Sequence, residues 1–248
     1  MLFRSTLKEL EKGPVAIVKD GDSFRMQGDN VDVRLIGLRA PEIAKGRRNF
    51  VDQPLGEEAH RALETLLRGH TVSLRVGAND HDRNGRILAY AIRDDGMWLE
   101  TEVLREGWAR VYTFPDNRAF AGEMLAAERE ARAAKRGIWS NPYYAVRSTD
   151  PKTLLKDLNT YQLVEGKVVE TAEVRGRDYL NFGADYKTDF SVAIDKKAMP
   201  LFGRARLDLL LLKGKTVRVR GFIRDYNGPI IDVEDRKSTR LNSSHSQQ

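Results

Sequence analysis

Six charged residues have types and spacings suited to chemistry on an anion. They are Asp20 and Asp22 in KDGDS, Arg34 in VDVRLIGL, Arg39 and Glu42 in LRAPE, and Arg86 in DRNGRILAY. Two carboxylates one glycine apart can converge on a hard cation, which prefers oxygen ligands. An Asp-Gly hairpin turn has the same spelling. Arg34 interrupts a strand that is partly apolar on both faces, with Val31, Val33 and Leu35 on one and Ile36 and Leu38 beside the arginine on the other. A guanidinium in such a semi-enclosed place needs an anionic partner. A protein carboxylate would serve, and so would a phosphate gripped through two parallel hydrogen bonds. Glu42 follows a proline that stiffens the exit from the strand. Beside a phosphate it would orient or deprotonate a water; elsewhere it is a solvated loop acid. Arg86 opens a strand just after an Asn-Gly turn, as a second phosphate clamp or as a surface arginine.

These residues need elements to position them. GPVAIVKDGDSFRM spells two strands around a turn at Asp20-Gly21-Asp22, and VDVRLIGL spells a third. GEEAHRALETLLRG is a helix, with Ala59, Ala62, Leu63, Leu66 and Leu67 in one apolar stripe and Gly69 as its stop. TVSLRV and GRILAYAIR read as strands, and WLETEVLREG as a short helix. NRAFAGEMLAAEREARAAKRG reads as a longer helix capped by Asn117 and stopped at Gly137. The pattern is a small antiparallel barrel with helices, in the mainly β, α+β class, rather than alternating βαβ units.

A second unit begins near Tyr161. YQLVEGKVVETAEV, DYLNFG and DFSVAID read as strands, KKAMPLFGRARLDLLLL as helical, and KTVRVRGFIRD and PIIDVED as two further strands. Three strands, a helix and two strands is the order of a five-stranded oligonucleotide/oligosaccharide-binding (OB) barrel. Arg218 and Arg220 share a strand face opposite Val217 and Val219, and Tyr179 and Phe182 are candidate stacking platforms for bases. A packing domain with a solvated charged face fits the same pattern.

The chain has 248 residues, no cysteine and a net charge of +6. Disulfides and cysteine-based zinc sites are thereby excluded. The tail RKSTRLNSSHSQQ carries half of that charge, has one leucine, and resembles a translated sequencing adapter. It cannot bury a core, so it is expected to be disordered. Bulk charge therefore says little, and any partner must be argued from local sites. No apolar run reaches membrane-spanning length, and no membrane partner is expected. The N-terminus lacks the apolar core of a secretory signal. A leader missing from the chain would mean a secreted or periplasmic protein, and a true absence a cytoplasmic one.

Taken together and in order, the motifs resemble the staphylococcal nuclease (thermonuclease) family. They are an Asp-Gly-Asp hairpin, an arginine-bearing strand ending in Pro-Glu, a helix, the D-x-x-G-R-x-L-A-Y strand, and helices ending in GIWS. The resemblance covers about residues 13–140. It implies an OB-type barrel that cuts DNA and RNA at the phosphodiester bond with Ca²⁺. By that resemblance Arg34 and Arg86 hold the scissile phosphate and Glu42 orients or activates the attacking water. Asp22 is a direct metal ligand, Asp20 lies close behind it, and Ala40 lends a backbone carbonyl. Tyr112 and Phe114 lie near the bound base. Lys45, Arg47 and Arg48 in the loop 44–54, together with Arg83, are candidate contacts to flanking phosphates.

Two positions depart from the family pattern. Asn84 stands where the family has a tyrosine. Arg39 stands where the family has its second metal-ligating aspartate, which deletes a carboxylate and adds a positive charge. Three outcomes follow: a weakly held metal, a guanidinium in place of the metal's charge, or a module that binds nucleic acid without cutting it. The looser resemblance of the second unit is to nucleic-acid-binding OB modules. The expected layout is two tandem OB-fold-like barrels: 1–140 nuclease-like, 141–158 a linker, 159–235 the second barrel and 236–248 the tail. The expected entity is a monomeric, metal-assisted phosphodiesterase acting on DNA or RNA.

Overall fold

The computed structural model describes residues 7–28, 30–46, 48, 51–77, 79–113, 119–198, 200, 208–233, 242 and 243. The chain divides into two compact units, Met1–Tyr144 and Ala145–Gln248.

The first unit is built on a closed barrel in the strand order β1-β2-β3-β6-β5. Its strands are β1 (Lys8–Asp20), β2 (Ser23–Met26), β3 (Asp32–Leu35), β5 (Thr71–Val76) and β6 (Ile87–Arg93). All neighbours are antiparallel except β3 and β6, which run parallel with Arg34 opposite Leu88. Alternation along the strands turns Phe24, Met26, Val33, Leu35, Val72 and Leu74 into the interior, where they are almost fully buried. Three helices cover the barrel: α1 (Gly56–Leu67), α2 (Leu99–Arg105) and α3 (Ala121–Ala133). Helix α1 buries Ala59, Leu63, Leu66 and Leu67 of the expected stripe while Ala62 is half-buried, and Gly69 follows it with φ +76°. The expected cap of α3, Asn117, lies outside the described residues, and α3 begins at Ala121.

The stretch VDVRLIGL is not one strand. It breaks at Gly37, where φ is +85°. A side chain there would need strained left-handed backbone, and its Cβ would lie 2.4 Å from Met124 Cε. Beyond the break the chain forms the two-residue strand β4 (Leu38–Arg39), which pairs with β7 (Arg110–Val111) outside the barrel.

In the second unit YQLVEGKVVETAEV also splits, into β8 (Tyr161–Lys167) and β9 (Glu170–Val174). The other strands are β10 (Arg177–Asn181), β11 (Ser191–Asp195), β12 (Thr216–Asp225) and β13 (Pro229–Val233). They pair in the order β9-β10-β11-β13-β12-β8, with β11 parallel to β13. The barrel of the first unit likewise has one parallel pair, β3 with β6. The pairing path is open, and its ends, β8 and β9, are separated in sequence only by Val168 and Val169. Leu154, from the expected linker, is buried in the core of this unit. Of the expected helical stretch, Lys196–Ala198 and Leu209–Leu212 form single 3₁₀ turns, while 199 and 201–207 lie outside the described residues. Within the tail only β14 (Asn242–Ser243) is described, paired with Val217 and Arg218.

Candidate active site

The barrel brings Asp22 and Arg34 together through strand register. Ser23 on β2 stands opposite Arg34 on β3, and the Leu35 N–H donates to the Asp22 carbonyl at 2.9 Å. Asp22 therefore ends the β2 ladder beside Arg34. Its Oδ1 accepts from Arg34 Nη1, its Oδ2 pairs with Arg34 Nη2, both at 3.2 Å, and Oδ2 also accepts from the Ala40 N–H at 3.0 Å. The anion that Arg34 required is thus a protein carboxylate in this state of the molecule. Burial pushes the Asp22 carboxyl up to about 6, against the pull of Arg34. Asp22 in turn raises the Arg34 guanidinium against its own desolvation.

Asp20 turns back on its own hairpin. Its Oδ1 accepts from the Asp22 N–H at 3.0 Å and from Ser23 Oγ at 2.7 Å. Burial alone would raise this carboxyl, but those hydrogen bonds hold it below its usual value. Gly21 is required between them for steric reasons. A Cβ there would stand 2.7 Å from Ala40 Cβ and 2.8 Å from Ala59 Cβ.

The break at Gly37 aims β4 away from the barrel and toward Tyr112, whose N–H donates to the Gly37 carbonyl at 2.8 Å. Arg39 on β4 is ion-paired with Glu42, and its guanidinium carbon lies 5.7 Å from the centre of the Tyr112 ring. Glu42 is anchored through its backbone, donating to Gln53 Oε1 at 3.2 Å and accepting from the Gln53 N–H at 2.8 Å. Burial raises the Tyr112 hydroxyl, while Arg39, Arg34 and Arg83 draw it down. Three guanidinium groups therefore act on one phenol.

Arg86 is held from a neighbouring turn. Its Nε and Nη2 both lie 2.7 Å from Asp82 Oδ2, and Asp82 Oδ1 accepts from the Asn84 and Arg86 N–H groups at 2.8 and 3.0 Å. Asp82 is a site residue that sequence reasoning missed. Its signal was present, because an aspartate two residues before Asn-Gly builds this kind of turn. The Asp82 charge also reaches Arg34, which ties the two clamps to one region. Lys45 and Arg48 lie on an exposed loop, Arg83 is exposed in its turn, and Arg47 and Phe114 lie outside the described residues.

Among the described residues no three Asp, Glu or His side chains gather as a metal site. Asp22 spends both oxygens on Arg34 and Ala40, and Asp20 is bonded within its own turn. Arg39 supplies a cation where a carboxylate was needed. As arranged here, these residues do not fit a calcium ion, which takes about six to eight oxygen ligands.

In the second unit Phe182 is buried, 5.0 Å from Phe190 centre to centre, so it is core and not a stacking platform. It lies just past β10, with its N–H donating to the Phe190 carbonyl at 3.0 Å, which corrects the expectation for that residue. Arg220 is likewise only 4% exposed. Arg218 pairs with Glu165 across the β8–β12 ladder, and Tyr179 is half-buried on β10.

The first unit is thus a small five-stranded barrel with guanidinium and carboxylate groups paired beside one hairpin. Residues 32–141 match the family of staphylococcal nuclease homologues. The chain is 32% identical over 126 residues to a thermonuclease of Staphylococcus hyicus, covering 50% of this chain and 73% of that one. It is 33% identical over 141 residues to the SPbeta prophage-derived endonuclease YokF of Bacillus subtilis, covering 55% and 47%. It is also 35% identical over 144 residues to an uncharacterized protein of Bacillus anthracis, covering 56% and 66%. The matched stretch spans less than two thirds of the last two relatives. The chain belongs to the staphylococcal nuclease family.

Proposed function

We propose that the first unit is a phosphodiester hydrolase that cuts DNA and RNA internally with little sequence preference. The observation that carries the reading is the placement of Arg34 and Arg39 beside one hairpin, Arg34 on Asp22 and Arg39 on Glu42 and the Tyr112 ring, with Ala40 joining the two through its N–H to Asp22. A phosphate entering there replaces Asp22 and Glu42 as the anion facing the guanidinium groups. Arg34 and Arg39 present planar forks that match phosphate oxygens and take up the charge that grows in the transition state. Glu42, released from Arg39, accepts a proton from a water whose oxygen bonds to phosphorus. One ester P–O bond breaks, and the departing oxygen is neutralised by Arg86 and then protonated from solvent. The half-buried ring of Tyr112 offers a face for a flanking base, and stacking of that kind is tolerant of sequence.

A module that only binds nucleic acid would use the arginines and would need Glu42 only as the ion-pair partner of Arg39. The second unit, with Arg218 and Tyr179 on its sheet, is read as an accessory nucleic-acid-binding element. The test is incubation of the purified chain with single-stranded DNA and RNA, with and without Ca²⁺, Mg²⁺ or Mn²⁺. Shortened products are expected, and intact substrate under every condition would end the reading.

A further inference from the structure

The poor fit between the site and a divalent cation includes a change of charge at Arg39, and the surrounding geometry suggests what that residue does instead. We infer that Arg39 takes the place of a divalent cation, so that the site grips a nucleic-acid phosphate with guanidinium groups alone, and that the incoming phosphate frees Glu42 by drawing Arg39 away from it. The identity of the phosphate rests on the nuclease reading above; the independence from metal rests on the geometry that follows.

Arg39 is carried by a rigid support. The turn at Gly37 and the β4–β7 pairing, with Arg39 opposite Arg110, fix the backbone from which it projects. The next residue, Ala40, donates to Asp22, so Arg39 stands one residue from the carboxylate that Arg34 holds. Its side chain is only about one-fifth exposed. It lies against Tyr112, whose hydroxyl also lies within the field of Arg34. Two guanidinium groups near one phenol repel each other unless an anion lies between them or each has a carboxylate of its own. Without substrate the second condition holds: Arg34 has Asp22 and Arg39 has Glu42. A phosphodiester supplies the first.

A divalent cation would meet the opposite situation. Asp22 has its oxygens occupied, and Arg39 adds repulsion at short range. The Arg39–Glu42 pair also gives the ground state a reason to be inactive. While it is held against Arg39 the Glu42 carboxylate does not face a water, so it becomes available only when a phosphate competes for Arg39.

The test combines calcium titration calorimetry with oligonucleotide affinity. Wild-type protein is expected to take up no calcium, and to bind a mixed-sequence single-stranded oligodeoxynucleotide equally well, within twofold, in chelator and in Ca²⁺. Arg39→Ala is expected to weaken that affinity at least tenfold in chelator. Arg39→Lys keeps the charge but loses the fork, so it should recover only part of the loss; thermal melts confirm that both variants fold. Arg39→Asp is expected to gain calcium binding and to make oligonucleotide affinity sensitive to chelator. Calcium uptake by wild type, or a tenfold loss of affinity in chelator, would overturn the inference. So would an Arg39→Asp variant that still takes up no calcium. Cleavage seen only with added divalent cation would leave the nuclease reading standing and defeat this inference. Metal-independent affinity that needs Arg39, without cleavage, would do the reverse.

Discussion

Arg34 holds Asp22 with both ends of its guanidinium, Nη1 to Oδ1 and Nη2 to Oδ2, each at 3.2 Å. Asp22 is 5% exposed, so this is an ion pair removed from water. Breaking a buried pair costs more than the pair contributes, because the surviving charge is left without a partner.

Arg34→Ala is therefore expected to lose about 3 kcal/mol of stability in urea unfolding and to abolish cleavage. Asp22→Asn keeps an acceptor for the Ala40 N–H and should cost less. An Arg34→Ala variant with the wild-type urea midpoint would show that the pair carries no stability.

Glu42→Gln separates chemistry from folding. The Arg39–Glu42 pair is partly exposed, with Glu42 at 30%, so stability should change by less than about 1 kcal/mol. The cleavage rate should fall by roughly 10²-fold or more, as expected for a lost general base. Oligonucleotide affinity should hold or rise, since Arg39 loses its competing anion. A rate within a few-fold of wild type would remove Glu42 from the mechanism.

Gly21→Ala tests the hairpin. Contacts of 2.7 and 2.8 Å to Ala40 and Ala59 leave no room for a methyl group. A loss of about 1–3 kcal/mol is expected, with reduced activity because Asp20 and Asp22 sit on either side. Ala59→Gly in the same chain should restore part of both, read by thermal melting and by cleavage rate.

Glu100 gives a pH dependence unconnected with the site. It is 1% exposed, with one oxygen accepting from the Ala91 N–H at 2.9 Å, and burial raises its carboxyl to about 8. The folded state thus keeps a proton that the unfolded chain releases near 4.5. Stability is unaffected by this group below about pH 4, falls as pH rises from there to about 8, and levels off above. Glu100→Gln should remove that fall and make the variant more stable than wild type by about 1–3 kcal/mol at pH 8.5, with little difference at pH 5. Parallel urea curves for the two proteins at both pH values would refute it.

Most of the barrel was legible in the sequence, because strand alternation and the Asp-Gly-Asp turn are local signals. The helix stripe from Ala59 to Leu67 was legible for the same reason. Three features were not. The division of VDVRLIGL at Gly37 depends on Met124 and Tyr112, which lie far along the chain. The burial of Phe182 depends on Phe190 across the sheet. Asp82 was visible as a turn residue, but its grip on Arg86 depends on how that turn closes.

The sequence by itself determined which charges exist: Asp20, Asp22, Arg34, Glu42 and Arg86 in family order, with Arg39 in place of an aspartate. Only the tertiary structure decided which charge faces which. Arg34 met Asp22 through β2–β3 register, Arg39 met Glu42 and Tyr112 through the reversal at Gly37, and Arg86 met Asp82 within its turn. Composition and order cannot fix those pairings, because electrostatic energy depends on separation and burial, and both are set by contacts between residues distant in the chain.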